Sequence, residues 1–309
     1  GVHIELIYGA ESKGMRIWCV RRSIKAFRPD IVISYLDKPN IIACLLRATG
    51  MKFRLITSER NTTQEYSFHE CIKFALMHWA DIVVPNSFSQ KKFICEHFPR
   101  LAPKVTTITN FVDTDAFSPA SQSKSRNPEC KLRLLVVGRV TKQKNVMRFL
   151  QAVKRLRDEG YLFFVDWYGY SGGDVESQAG DFIRDERLDT VFQFHEPSQD
   201  IVARYREADI FVLPSIYEGF PNVLCEAMSC GLPVACSNVC DNPMIVEDGK
   251  NALLFDPLSV DDMADKLKQL ILLPSDERQV MGDRSRSLAL ANFSSNVFIE
   301  KYENLLCPR

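Results

Sequence analysis

The chain has 309 residues, too many for one ordinary domain and comfortable for two. With 46% apolar and 25% charged residues it has the composition of a globular protein, and no apolar run reaches the ~18 residues that a membrane span needs. Lys+Arg and Asp+Glu balance at 39 each, and no nucleic-acid partner is expected. The balance hides an asymmetry: up to Asn110 there are 16 basic and 9 acidic residues, a local +7 that the remainder cancels. Either the first half meets an anionic surface or substrate, or the two domains simply differ.

The ten cysteines are scattered, and Cys225, Cys230, Cys236 and Cys240 match no zinc-site spacing. Lying in apolar stretches, all ten read as reduced, mostly buried thiols, which favours the cytosol. The chain opens on Gly1 without a signal-peptide pattern, so targeting is left open.

Short apolar runs alternate with longer amphipathic ones. Strands are predicted at 31–36, 53–57, 81–85 and 105–109, then at 132–138, 162–168, 191–194, 209–214, 233–236 and 252–255. They are rich in Val, Ile, Leu and Phe with little alternation, as expected where both faces are buried. Helical patterns lie between them at 40–49, 66–79, 89–97, 146–159, 198–207, 222–230 and 260–273, with a last one at 293–306. This order predicts parallel sheets covered by helices. Residues 118–130, SPASQSKSRNPEC, have almost nothing to bury and read as a linker. The expected division is therefore a first domain over 1–112, a connector over 113–130, a second domain over 131–292 and a terminal helix over 293–309. The first domain has few strands for a doubly wound half, and at ~30 residues per βαβ unit about two units are expected upstream.

The strongest local signal is Ser215–Gly231, SIYEGFPNVLCEAMSCG, after the apolar run at 209–214. Pro221 suits the first turn of a helix. Asn222, Val223 and Leu224 then offer backbone N–H groups at a helix N-terminus, an anion site suited to a diphosphate. Glu226 lies about one turn inside, placed to accept hydrogen bonds from ribose hydroxyls. Glu218 lies in the loop above the strand end, where open α/β sheets bind ligands. The second signal is GRVTKQKN, Gly138–Asn145, also just after a strand. Gly138 permits a tight turn, and Arg139 and Lys144 put two cations on it, able to neutralise a leaving diphosphate.

These stretches resemble glycosyltransferase family 4, retaining enzymes of the GT-B fold. The resemblance covers nearly the whole second half, through VVGRVTKQKN, DWYGYSGG, the run from Phe192 to Asn238, and IVEDGKNALLF. It is weaker in the first half, through RPDIVISYLDKPN, ITSERN, ADIVVPNS and ITNFVDTDAF. It implies two Rossmann-like α/β domains facing across a cleft, the first incomplete here, with the final helix returning to the first domain. It implies that Arg139 and Lys144 contact the donor diphosphate and that Glu218 faces the transferred sugar. The backbone of Gly219, Phe220 and Pro221 would line that sugar, the amides of Asn222, Val223 and Leu224 would hold the phosphates, and Glu226 would bind the ribose. The 194–197 segment would flank the base, with His195 where the family often has Gly. No metal and no cofactor are expected; the nucleoside-diphosphate sugar is a substrate.

The implied activity is transfer of a sugar, with retention, to a glycan or polyprenyl-linked acceptor in polysaccharide biosynthesis. It would take place in the cytoplasm, with contact to the inner face of the membrane through the basic first half. Two alternatives stay open: a nucleotide-binding remnant without transferase activity, and a GT-B phosphorylase-like enzyme. In the first half, Glu59, Arg60 and Asn61 follow a strand end, as does Ser87, and Arg60 is as well read as an ordinary loop ion pair as a functional group. Asp113 and Asp115 belong to the connector turn rather than to a metal site.

Overall fold

A computed structural model describes residues 4, 12–61, 63, 66–120, 131–170 and 172–307. Compactness divides the chain into two units, Gly1–Ile108 with Leu306–Pro308, and Thr109–Leu305. The division falls at residue 108 rather than 112, and most of the last helix counts with the second unit. Residues 121–130 of the expected connector lie outside the described residues. Ser118, ahead of them, is held by Arg206, whose guanidinium donates to its carbonyl at 2.8 Å and its hydroxyl at 2.9 Å.

The first unit comprises α1 (Lys13–Phe27), β1 (Ile31–Tyr35), α2 (Asp37–Ala48), β2 (Arg54–Glu59), α3 (Phe68–Leu76), β3 (Ile82–Pro85) and α4 (Phe88–His97). Its strands form a parallel sheet in the order β1-β2-β3. Serine starts three of its helices: Ser12, Ser67 and Ser87 each accept a hydrogen bond from a first-turn amide. The expected strand at 105–109 is an extended segment beside β3, where Thr106 N donates to Val83 O at 3.0 Å and Ile108 N to Pro85 O at 3.2 Å. Leu55, Phe74, Met77, Val83, Ile94 and Leu101 form the buried core.

The second unit comprises β4 (Leu132–Val137), α5 (Val146–Asp158), β5 (Phe163–Tyr168), α6 (Asp174–Asp185), β6 (Phe192–His195), α7 (Ile201–Glu207) and β7 (Ile210–Leu213). It continues through α8 (Asn222–Ser229), β8 (Val234–Ser237), α9 (Asn242–Ile245), β9 (Ala252–Phe255), α10 (Val260–Leu272), α11 (Ser275–Phe293) and α12 (Ser295–Leu306). The sheet is parallel, in the order β6-β5-β4-β7-β8-β9. The chain winds outward from β4 to β6, then returns and winds the other way from β7 to β9. The reversal makes the β4–β7 junction a topological switch point, and ligands of open α/β sheets bind beyond the carboxyl ends of strands at such a point.

Both faces of this sheet are buried, which is why its strands show so little alternation. Leu134 and Val136 of β4 point into one core with Phe149, Val153, Trp167 and Leu267. Leu135, one residue out of phase, points into the other with Tyr205, Phe211, Leu224 and Met228. The longest helix here, α11, was not foreseen because its buried residues include small ones: Gly282, Ser285 and Ala289. A Cβ on Gly282 would stand 2.2 Å from Gly231 O, so the absence of a side chain permits the approach. The nine described cysteines are free, but only four of them are buried, fewer than the apolar surroundings predicted. No helix among the described residues is long and apolar enough to cross a membrane.

Candidate functional site

Two loops leave the carboxyl ends of the neighbouring strands β4 and β7, and three consecutive side chains or carbonyls tie one to the other. Gln143 accepts from Ile216 N at 2.8 Å through its carbonyl and donates from Nε2 to Tyr217 O at 3.0 Å. Lys144 Nζ donates to Glu218 Oε1 at 2.5 Å. Asn145 Nδ2 donates to Pro214 O at 3.1 Å and Pro257 O at 2.7 Å. Asn145 itself is buried in the left-handed region (φ 59°), a conformation that asparagine tolerates better than most side chains. The 138–145 and 214–218 segments, separate signals in the sequence, thus form one structure at the switch point.

Glu218 is the centre of that structure. It is 7% exposed, and besides Lys144 it accepts from Ser215 Oγ at 2.6 Å on the same oxygen, Oε1. A buried carboxylate needs such partners, because an unpaired charge out of water costs several kcal/mol. Its backbone N–H points to Cys240 Sγ at 3.5 Å, a contact with the β8–α9 loop that no sequence spacing indicated. Burial raises the Cys240 thiol above its ordinary range. Arg139 is exposed, and the described residues provide no partner for its guanidinium.

Gly138 begins the turn after β4 at φ +153°, and a Cβ there would meet Lys144 Cε at 3.2 Å. Its carbonyl accepts from Trp167 Nε1 at 2.8 Å, and its amide donates to Tyr168 O at 2.9 Å. The turn is closed from the other side by Gly169. The amides of Gly169 and Tyr170 in turn donate to His195 O at 3.0 and 2.9 Å. The ends of β4, β5 and β6 are therefore bonded in series.

His195 is the last residue of β6. Its Nε2 lies 2.8 Å from Asp166 Oδ1, and its ring stacks on Tyr168 with centroids 4.5 Å apart and planes 14° off parallel. The other Asp166 oxygen accepts from Arg133 Nε at 3.1 Å and from its terminal nitrogen at 2.6 Å. The His195 imidazole is thus fixed by a buried carboxylate and an aromatic face.

The helix after β7 differs from expectation in detail. Pro221 is the N-cap of α8 and not its first turn, and the amides of Asn222 and Leu224 are turned into local carbonyls, Phe220 O at 3.1 Å and Pro221 O at 3.0 Å. The helix start is therefore tightened into a turn rather than left with three open donors. Asn222 is exposed, Val223 half-buried and Leu224 buried. Gly219 is half-buried, while the Phe220 ring enters the core against Phe293, with centroids 5.6 Å apart.

Glu226 lies one turn into α8 and is half-buried. Tyr205 Oη donates to its Oε2 at 2.9 Å. Burial pushes the Glu226 carboxyl above the ordinary range, and the tyrosine hydrogen bond holds it partly down. Tyr205, the fully buried residue of α7, is one that sequence reasoning missed. Its spacing from Glu226 carries no signal, because the pair meets only when α7 and α8 pack on the same face of the sheet.

In the first unit, Glu59 is the last residue of β2 and not part of the loop. It is fully buried, held by Lys73 Nζ at 3.0 Å and Asn40 Nδ2 at 2.9 Å. Arg60 lies over the Tyr35 ring at 5.1 Å, and Asn61 donates to Asp37 at 3.0 Å. Ser87 caps α4, and Asp113 caps its own turn by accepting from the amides of Asp115 and Ala116.

A family model described as glycosyl transferases group 1 matches residues 118–288, more than half of the chain. The putative colanic acid biosynthesis glycosyltransferase WcaL of Escherichia coli (strain K12) is 26% identical over 317 residues, covering 97% of this chain and 76% of WcaL. A D-inositol 3-phosphate glycosyltransferase of Corynebacterium aurimucosum is 29% identical over 218 residues, covering 66% of this chain and 51% of that protein; the chain spans about half the length of such relatives. Among solved structures, Anabaena Alr3699/HepE in complex with UDP and glucose matches with a TM-score of 0.82 at 17% identity, covering 98% of this chain and 84% of that one. At that identity the likeness speaks for the fold, GT-B, with its two Rossmann-like parts. The matched span contains both loops of the switch point, and this chain belongs to the glycosyl transferases group 1 family of glycosyltransferases.

Proposed function

We propose that the chain binds a nucleoside-diphosphate sugar at the β4–β7 switch point and transfers the sugar, with retention, to a glycan or lipid-linked saccharide. The observation that carries this reading is the Lys144–Glu218 pair at 2.5 Å, a cation and a carboxylate held together above adjacent strand ends. Sugar transfer from such a donor breaks a C–O bond, leaving positive character on the sugar and a growing charge on the diphosphate. A fixed ammonium is suited to the second and a carboxylate to the first. Arg139, exposed on the same turn, supplies the second cation. Gly219, Phe220 and Pro221 would line the sugar by their backbone, and the helix start from Asn222 to Leu224 would meet the phosphates. Because two of those three amides already bond within the turn, Lys144 and Arg139 carry more of the phosphate charge than the helix does.

Glu226 Oε2 is occupied by Tyr205, which leaves Oε1 for a ribose hydroxyl. His195 would bound the base pocket. UDP is the first nucleotide to test, since HepE is named in complex with it. The relatives' names, one for colanic acid biosynthesis and one for D-inositol 3-phosphate, fit a hydroxyl acceptor on a glycan or phosphorylated polyol. A polyprenyl-linked acceptor would bring the basic first unit to a membrane.

The test is titration of the chain with UDP, GDP and ADP, followed by turnover of the matching nucleotide sugars. Tight binding of one nucleotide that is lost in Lys144→Met and Glu226→Ala supports the site. Binding with no transfer to any glycan or lipid-linked acceptor favours a nucleotide-binding remnant. Unchanged affinity in both variants removes the site altogether.

A further inference from the structure

The start of α8 carries a second kind of donor besides its backbone. Asn222 N and Leu224 N are turned into the carbonyls of Phe220 and Pro221, and among the three amides only Val223 N bonds to no described residue. The Asn222 side chain is exposed on the same turn. A side-chain amide has one acceptor oxygen and two donor hydrogens. On an exposed asparagine the two ends exchange by rotation, and an anion at the turn would meet either. Here the oxygen is taken: Asn110 Nδ2 donates to Asn222 Oδ1 at 2.8 Å. What remains of the Asn222 amide is its NH2 group, for which the described residues provide no acceptor. Donors at the amino end of a helix favour a negative group, and an amide oxygen turned outward there would oppose one.

Asn110 is held in place by its own neighbours. Thr109 before it is buried, and Asn110 itself is half-buried. Two residues on, Val112 N donates to Phe293 O at 2.8 Å, and the Val112 side chain lies in the core of the second unit. Between them the Phe111 ring packs on Phe298, with centroids 4.9 Å apart. The segment therefore belongs to the second unit and presents its asparagine to α8 from a fixed position. A neutral hydrogen bond in contact with water adds little to stability. Its consequence is directional, since it decides which end of the Asn222 amide faces outward.

We propose that Asn110 is a positioning residue of the donor site: by holding the Asn222 oxygen, it turns the Asn222 side-chain NH2 toward the diphosphate of the nucleotide sugar. The inference rests on the donor site proposed above. It adds to that site a side-chain ligand beside Val223 N and Lys144, oriented from outside both loops of the switch point.

Titration with UDP, GDP and ADP, and with the free nucleoside of whichever binds most tightly, tests it. Asn222→Ala should weaken the diphosphate about tenfold, the loss expected of one hydrogen bond to a charged group. Asn110→Ala should weaken it about threefold, because the released amide still presents its NH2 part of the time. In an Asn222→Ala background Asn110→Ala should add nothing, since no amide is left to orient. Asn110→Asp should be worse than Asn110→Ala, because a carboxylate accepts from the Asn222 NH2 and turns the oxygen outward; it should also cost more than it does in the Asn222→Ala background. Melting temperature and affinity for the free nucleoside, read by competition, should stay unchanged in all of these variants. If no nucleoside diphosphate binds the unaltered chain, or if Lys144→Met leaves the binding intact, the donor site is overturned and this inference with it. Binding that is lost in Lys144→Met but unchanged in Asn222→Ala and Asn110→Asp overturns the inference alone. Losses at 110 and 222 that multiply, or a nucleoside affinity that falls in step with them, would mark a displaced helix start instead of an oriented amide and overturn it as well.

Discussion

Gly169 passes so close to Gly138 that a Cβ on it would stand 2.4 Å from the Gly138 carbonyl oxygen. The contact joins the end of β5 to the turn after β4, and that turn carries Arg139 and leads to Lys144. Gly169 also has φ +124°, where a side chain is strained whatever the space. Gly169→Ala should therefore destabilise the chain by at least ~2 kcal/mol and lower nucleotide affinity together, since both follow from displacing one turn. Chemical denaturation and nucleotide titration of the variant measure the two; an alanine variant with unaltered stability would contradict the packing described.

Lys144 and Glu218 act as a unit. Lys144→Met should lower kcat/KM for the matching nucleotide sugar by about a hundredfold or more, as loss of a preorganised charge stabiliser does. Glu218→Gln should be similarly impaired. Because each removes the other's partner, the double variant should fall well short of the product of the two losses. Steady-state kinetics in a double-mutant cycle reads this, and independent, fully multiplying effects would separate the two roles.

In the proposed site Glu226 would trade stability for binding. Burial raises its carboxyl pKa, so the folded state holds the proton more tightly than the unfolded chain does. Its contribution to stability is then fully present below the unfolded-state pKa and is lost as pH rises through the folded one. Glu226→Gln removes that loss, and the melting temperature of the variant relative to the parent should be higher at neutral pH than near pH 4. Nucleotide affinity should fall in the same variant. Scanning calorimetry at the two pH values, beside nucleotide titration, checks both signs.

In the proposed site Tyr205 would reach the nucleotide only through Glu226, to which its hydroxyl donates. Tyr205→Phe removes the hydrogen bond that holds the Glu226 carboxyl down, so the acid limb of nucleotide binding should move to higher pH. A role in packing alone would lower the melting temperature and leave the pH profile in place.

Lys73 holds the first unit together at the ends of β1 and β2. Lys73 is 1% exposed, and its ammonium contacts Glu59, Glu70 and Asp37 at 3.0, 2.6 and 3.4 Å. Desolvation works to lower its pKa, but Glu59 and the neighbouring carboxylates outweigh it and hold the ammonium above its ordinary range. Lys73→Met should cost about 3–5 kcal/mol by leaving Glu59 buried and unpaired. Adding Glu59→Gln should recover a large part of the loss, which urea denaturation of the single and double variants would show.

Parallel sheets under helices were legible from β4 onward, because strands buried on both faces are written as short apolar runs and the connecting helices as amphipathic ones. Helix α11 was not legible, because glycine, serine and alanine on its buried face carry no hydrophobic period. The Gly138–Asn145 and Ser215–Gly231 segments stood out by residue type, since cations and carboxylates beside glycine and proline at strand ends have few structural uses. Tyr205 did not stand out, and neither did Gly169 or the Cys240 contact, because each becomes part of the site through a neighbour distant in the chain.

Except at 105–109, the sequence alone determined which segments are strands and which loops carry charge, because side-chain period and composition are local properties. It also placed Glu218 and Lys144 on such loops. Tertiary structure decided that β4 and β7 are neighbours, that Lys144 meets Glu218 rather than water, and that Pro221 caps its helix with two amides already engaged. Strand order and side-chain pairing depend on which distant surfaces are buried together, and that choice is made by the packing of the whole unit.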